Sequence, residues 1–188
     1  MGSAIIFARP VLKSFLTPSS MVRFKNRWLL VELIPASNPS QTHLDGQKIW
    51  TALRQSILTN FGDVGWGSVG LSLTVKYYSP TTNICIIRVA RDHHQIAWGA
   101  LTLLTTIEGT RYIPNVIHLS GRHTQCDFTV HRDELATGTI KHAQLAAVAH
   151  NREVIARYRA QAKTPSGYQD SYEDYLRTSN MEIEALQD

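Results

Sequence analysis

The order of its apolar segments is the feature that most constrains the fold of this chain. Along it, hydrophobic residues alternate with a period of two in some segments and recur every three or four residues in others, which predicts the order strand, helix, strand, strand, helix, strand. This order is typical of a ferredoxin-like or RRM-like βαββαβ domain, an α/β (α+β) sandwich with an antiparallel sheet. The predicted strands are Arg23–Ile34, Val69–Tyr78, Ile84–Ala90 and Tyr112–Leu119, and the predicted helices are Leu44–Phe61 and His93–Ile107.

The first and third strands are too apolar for one face of this sheet to stay in water. Their apolar residues cannot all point at the two predicted helices, so a second layer must cover the other face. We expect C-terminal helices or another protein to do so. The residues concerned are Leu29, Leu30, Val31, Leu33, Ile84, Ile86, Ile87 and Val89. Further helices are predicted at Ala143–Ala162, at Thr124–Leu135 and, as a short segment, at Tyr172–Arg177.

The chain divides into a basic body and an acidic C-terminal end. Residues 1–163 carry 18 Lys and Arg against 9 Asp and Glu, whereas residues 164–188 carry one basic and six acidic residues. A basic body favours a polyanionic partner such as RNA, although solubility alone would explain the same excess. No run of about 18 uncharged apolar residues occurs, which indicates no membrane span.

Composition also suggests where the folded domain begins and ends. We interpret residues 1–20 as a leader outside the fold, because they carry Arg9 and Lys13 but no acidic residue and a different segment starts at Met21. This composition suggests a mitochondrial presequence, whereas Pro10 and Pro18, which interrupt any helix there, argue against one. The domain is predicted at residues 21–163, and the acidic residues 164–188 are predicted to form a flexible tail.

The densest basic signal lies at the start of the first strand. Arg23, Lys25 and Arg27 occupy alternate positions, so a period of two places them on one face. Three cations spaced about 6–7 Å apart suit a run of phosphates. An edge strand that carries charge to resist aggregation would show the same pattern. The pattern therefore leaves both RNA contact and a solvated edge open.

A second basic set lies at strand ends and in loops. It consists of Arg88, Arg91, Arg111, Arg122 and His123. Because the first and third strands are neighbours in this fold, Arg27 and Arg88 are expected to lie close together. A salt bridge would explain Arg88 equally well. The third strand carries no aromatic residue, so the sequence favours recognition of backbone charge and shape over stacking on bases.

No motif of a protein active site occurs in the sequence. Adjacent His93 and His94 would point about 100° apart on a helix, which makes them a poor metal pair. No G-x-S-x-G, P-loop or G-x-G-x-x-G motif is present. Cys85 and Cys126 form no CxxC pair, and Cys126 is expected to be a buried thiol. We expect no catalytic residue and no cofactor or metal bound by the protein itself.

Residues 21–32, MVRFKNRWLLVE, closely resemble the opening of the ribonuclease P/MRP protein subunits of the Pop-five type. The resemblance continues through Ile86–Arg91 and the pair Ser120-Gly121, and it covers about residues 21–135. The family usually follows Ser-Gly with a small, an aliphatic and then a basic residue, whereas here Arg122 follows directly.

The resemblance implies a non-catalytic, RNA-binding subunit of ribonuclease P and ribonuclease MRP. In such particles RNA with bound Mg²⁺ cleaves precursor tRNA or precursor rRNA, and the protein screens phosphate repulsion. The implied partners are the catalytic RNA, a TIM-barrel-type protein subunit and precursor tRNA, and the implied location is the nucleus and nucleolus. From the residues alone, a protein-interaction scaffold without direct RNA contact stays open, and a small-molecule regulatory domain has no supporting sequence sign.

Overall fold

A five-stranded antiparallel sheet lies at the centre of the part of the chain that the computed structural model describes, residues 25–36, 44–120, 139–162 and 171–187. The strands are β1 Asn26–Pro35, β2 Thr74–Ser79, β3 Ile84–Ala90, β4 Thr106–Ile107 and β5 Thr110–Leu119. The helices are α1 Gly46–Val69, α2 His94–Thr102, α3 Thr139–Ala162 and α4 Tyr172–Glu184. The sheet order is β2-β3-β1-β5-β4, so the α/β sandwich with β1 beside β3 is confirmed.

The helices α1 and α2 differ in length from their predictions. α1 continues past the predicted end at Phe61, because Gly62 adopts φ 67° and ψ −169° and the helix resumes after this kink. β2 consequently begins later than predicted, at Thr74. α2 ends earlier than predicted, because the chain turns into the β4–β5 hairpin, where Glu108 and Gly109 take positive φ values of 48° and 79°.

One face of the sheet packs against α1 and α2, and we call it the α1–α2 face. β1 contributes Leu29, Val31 and Leu33 to this core, as alternation predicts. The two helices approach closely at Gly99, where an added Cβ would lie 2.8 Å from the Phe61 ring. This core buries the apolar stripe that defined α1 in the sequence.

The opposite face, here called the α3–α4 face, is covered by the C-terminal helices. Trp28, Leu30 and Ile86 of the sheet pack with Ala143 of α3 and Ile183 of α4. The expectation that C-terminal helices cover the second face is therefore met by α3 and α4. The helix predicted at Thr124–Leu135 lies outside the described residues.

α4 is attached to the domain mainly through polar side chains. Its Tyr175 hydroxyl lies 2.7 Å from Ser79 Oγ and 3.0 Å from Thr82 Oγ1. Its Ser179 hydroxyl lies 2.8 Å from the Tyr77 hydroxyl and accepts from Asn151 Nδ2 at 2.9 Å. These buried hydroxyl and amide groups satisfy one another across three elements.

The helix in the acidic tail is longer than predicted. Instead of a short segment in a flexible tail, Tyr172–Glu184 forms a helix with Ser179 and Ile183 buried. Gln144 of α3 fixes its C-terminal end by donating to the carbonyl oxygen of Ile183 at 2.8 Å. In the described part of the chain, no helix is long and apolar enough to cross a membrane.

Candidate nucleic-acid interface

Four basic residues lie at one end of the sheet, where β1 begins and β3 ends. We call this the basic end, and it comprises Lys25, Arg27, Arg88 and Arg91. Antiparallel pairing brings them together, because the chain enters β1 where it leaves β3. The Arg91 amide donates to the carbonyl oxygen of Lys25 at 2.7 Å, and Arg27 stands opposite Val89. Strand pairing thus brings the start of β1, with Lys25 and Arg27, beside the end of β3, with Arg88 and Arg91.

The two arginines on neighbouring strands project from opposite faces. Arg27 stands opposite Val89, which belongs to the core of the α1–α2 face. Arg88 stands opposite Trp28, which belongs to the α3–α4 face. The expected proximity of Arg27 and Arg88 therefore holds for their backbones but not for their side chains, because an offset of one residue reverses the direction of a side chain. The basic end presents positive charge on both sides of the sheet.

On the α1–α2 side, two cations have no acidic partner in contact. Lys25 is exposed and Arg27 half-buried, and within the described ranges neither forms an ion pair. Burial lowers the pKa of the Arg27 guanidinium, Arg91 lowers it further, and Asp92 opposes both effects. Arg91 itself donates through Nε to exposed Asp92 at 3.0 Å. Positive charge therefore exceeds negative charge here.

On the α3–α4 side, Arg88 is half-buried and unpaired. Its Nε is buried without a hydrogen-bond partner, and it forms no ion pair with any residue of the described segments. An uncompensated, partly buried guanidinium costs free energy, so most such groups in folded proteins are paired. The salt bridge considered for Arg88 from sequence does not occur in the described chain. Such a group is a candidate for contact with a partner.

The structure separates Arg111 from the basic end. Arg111 is exposed at the start of β5, and its carbonyl oxygen accepts from the Ala36 amide at 3.0 Å. The ten residues of β1, or about 30 Å, separate this point from the basic end. Arg23 and Arg122 lie outside the described residues. Contact of any of these arginines with RNA stays a prediction.

Two polar groups near the basic end were not recognised from sequence. The indole Nε1 of Trp28 is buried without a partner, and so is Nε2 of His118 on β5. Burial lowers the pKa of His118, and His142 on α3 lowers it further. Alternation along β1 does predict that the Trp28 side chain projects from the face opposite to that of Lys25 and Arg27. Only the pairing of β1 with β3 and β5 shows that Trp28 faces Arg88, and a single sequence does not give that register.

The remaining polar features of the described residues include a buried cysteine and a groove beside α1. Among the described residues, no group of three or more His, Cys, Asp or Glu side chains could hold a metal ion. Burial raises the pKa of the Cys85 thiol to about 12, which makes it a poor nucleophile. A groove of about 740 Å³ runs between α1 and the segment 103–108, lined mainly by uncharged polar side chains. At its rim, Lys48 Nζ and Glu108 Oε2 lie 2.8 Å apart.

Known proteins resemble this chain over most of its length. Residues 27–130 match the model of the Rpp14/Pop5 family. "Ribonuclease P/MRP protein subunit POP5" of Schizosaccharomyces pombe is 38% identical over 144 residues, which cover 72% of this chain and 91% of that protein.

Animal proteins with the same name also match. The Danio rerio protein is 32% identical over 154 residues, covering 80% of this chain and 82% of its own. The Homo sapiens protein is 31% identical over 110 residues, which cover 56% of this chain and 68% of that protein. The resemblance inferred from residues 21–32 and the motifs after them is confirmed. The chain belongs to the Rpp14/Pop5 family.

Proposed function

We propose that this protein is an RNA-binding subunit of ribonuclease P and ribonuclease MRP. In this role it supports RNA-catalysed removal of the 5′ leader of precursor tRNA and the processing of precursor rRNA. The names of its relatives support membership of these particles. The observation that carries the RNA contact is the group of cations at the basic end, of which Lys25, Arg27 and Arg88 have no ion-pair partner in the described chain.

The contribution of the protein is electrostatic in this proposal. Phosphates of the folded RNA repel one another, and cations that contact them release condensed counterions and stabilise the compact shape. The protein is non-catalytic, and RNA with bound Mg²⁺ cleaves the phosphodiester. Lys25 and Arg27 would contact the backbone without reading bases, since phosphate contacts position a nucleic acid but carry no sequence information.

A second surface favours contact with a protein subunit. Two large apolar residues beyond the kink of α1 are strongly exposed, Val64 at 84% and Leu71 at 100%. Exposed apolar side chains close together in sequence are typical of partner surfaces. We propose that this surface contacts the TIM-barrel-type subunit. We also propose that precursor tRNA lies near the RNA contacts of the particle. The assembly works in the nucleus and nucleolus in this proposal. If RNA contact is absent, this surface would make the protein a scaffold.

Co-purification tests membership of the particle. The tagged full-length chain is purified from cells, and cleavage of precursor tRNA is measured before and after micrococcal nuclease that is then inactivated by chelating calcium. We expect cleavage to co-purify and to disappear after the nuclease, because the catalyst is RNA. Absent activity, or activity that resists the nuclease, would contradict the proposal.

Salt dependence tests the RNA contact. The variant Lys25→Ala/Arg27→Ala should bind particle RNA more weakly, and the slope of log affinity against log salt should flatten by about 0.7–0.9 for each lost phosphate contact. The matched control is Arg152→Ala/Arg157→Ala, which removes two exposed cations of α3. Equal slopes for wild type and the first variant would favour the scaffold.

A further inference from the structure

Three buried nitrogen atoms without hydrogen-bond partners lie on the α3–α4 face at the basic end. They are Nε1 of Trp28, Nε of Arg88 and Nε2 of His118. Trp28 and Arg88 are direct cross-strand partners, and the Trp28 carbonyl accepts from Ser120, two residues after His118 on β5. Direct cross-strand neighbours have Cβ atoms about 5 Å apart and diagonal neighbours about 7–8 Å. The three side chains are therefore contiguous on one face.

The three groups share one chemical requirement. An indole N–H and a guanidinium can only donate hydrogen bonds, and an imidazole nitrogen can donate in one of its tautomers. Trp28 is fully buried, and Arg88 and His118 are half-buried beside it. The three nitrogen atoms themselves are buried, and each lacks an acceptor.

Among the described residues, no acidic side chain forms an ion pair with Arg88 or His118. The first turn of α3, which contains His142 near His118, carries no acidic residue. Glu32, the acidic residue of β1, lies farther along the strand and faces His150, with 3.7 Å between Oε2 and Nε2. The start of a helix also carries a partial positive charge. The electrostatics therefore favour an anion.

Building on the RNA-binding function proposed above, we propose that Trp28, Arg88 and His118 form a phosphate site that receives a phosphodiester of the bound RNA. Lys25 and Arg27 act on the other side of the sheet, so the RNA backbone passes around the basic end and contacts both faces. A phosphate suits this site because its oxygens accept from several directions at once and pair with the guanidinium fork.

The thermal stability of an Arg88 variant distinguishes a ligand-binding role of this residue from a structural one. Arg88→Gln removes an unpaired, partly buried charge, so the variant should fold with a melting temperature equal to or above that of wild type. A clear drop in melting temperature would show that Arg88 stabilises the fold, and would overturn its assignment as a ligand-binding group.

NMR spectroscopy of the full-length chain tests the site directly. The probes are a ten-nucleotide single-stranded RNA and inorganic phosphate, and the readout is the indole N–H resonance of Trp28, assigned by Trp28→Phe. Both probes should shift this resonance in wild type and not in Arg88→Gln. RNA affinity should fall about tenfold in Arg88→Gln, recover in part in Arg88→Lys and stay unchanged in the control Arg152→Gln, which changes an exposed cation of α3.

The outcomes separate this site from the proposed function. If Lys25→Ala/Arg27→Ala weakens RNA binding but Arg88→Gln binds like wild type and the indole resonance does not move, the second site is rejected and RNA binding stands. A shift with RNA and none with inorganic phosphate overturns phosphate as the ligand. If every variant binds RNA like wild type, the proposed RNA contact at the basic end fails as well.

Discussion

The two faces of the sheet are built in different ways. The α1–α2 face is covered by helices that alternate with the strands along the chain, and its core is apolar, with Leu29, Ile57 and Ile87 fully buried. The α3–α4 face is covered by helices that follow the last strand. Its core is smaller, and hydroxyl and amide groups hold α4 against it. At the basic end this face also contains the donors without partners.

This difference teaches where structural and functional demands lie. An apolar face covered by neighbouring helices needs no outside partner, and its residues are explained by packing alone. Buried polar groups need partners, and on the α3–α4 face Tyr77, Asn151 and Ser179 have them. Trp28 Nε1 and Arg88 Nε at the basic end do not, and neither does Asn180 Oδ1 on α4. We infer that α4 completes the fold at one end and that a ligand completes the other.

The largest expected change in the free energy of unfolding follows from replacing either of two neighbouring leucines, one on each face of the sheet. Leu29 and Leu30 are both fully buried, but on opposite faces. Replacing either with Ala should lower the free energy of unfolding by about 2–5 kcal/mol, because each leaves a cavity. Native-state hydrogen exchange should then distinguish the variants: Leu30→Ala loosens α3 and α4 while α1 and α2 stay protected. Equal loss of protection in all four helices would contradict the separation of the two faces.

A smaller effect is expected at alkaline pH on the α1–α2 face. The pKa of Cys85 rises from 9.0 to about 12 because the thiol is buried. Above pH 9 the unfolded chain loses this proton while the folded chain keeps it, so stability falls as pH rises toward 12. At pH 10.5 the loss from this group is about 2 kcal/mol. Urea denaturation at pH 8 and 10.5 should show a shallower fall for Cys85→Ala; parallel curves would contradict burial of the thiol.

The smallest effect is expected where α4 is held. Tyr175→Phe removes the hydroxyl that contacts Ser79 and Thr82, and should lower the free energy of unfolding by about 1 kcal/mol. Hydrogen exchange should increase mainly in α4. Tyr172→Phe is the matched control, because its hydroxyl makes no hydrogen bond in the described segments. Equal effects of the two substitutions would mean that the polar contacts do not hold α4.

Periodicity was enough to predict the parts of the fold that are local. The apolar run Ile84–Ala90 predicted the bounds of β3, and alternation along β1 accounts for Leu29 and Val31 sharing one core. It also showed that a second layer was needed. It did not find the full length of α4, because the groups that hold this helix, such as Ser179 and Asn151, are polar and pair with residues far away in sequence. When those partners are unknown, a polar, acidic segment is predicted to be a flexible tail.

The candidate site was only partly accessible from sequence for the same reason. Alternation grouped Lys25 with Arg27, but the face on which Arg88 lies depends on the register between β1 and β3. A shift of one residue would have placed Arg88 beside Arg27. Trp28 and His118 gained significance only through burial without partners, which is a property of the packed structure.

The central claim is that RNA contacts the basic end of the sheet, and protein–RNA cross-linking of the native particle tests it most directly. After ultraviolet irradiation and digestion, mass spectrometry should find nucleotides attached to peptides that contain Lys25–Trp28 and Arg88–Arg91, and none on the α3 peptide that contains Arg152. Cross-links confined to peptides outside the basic end, or found nowhere on this chain in an active particle, would contradict the account.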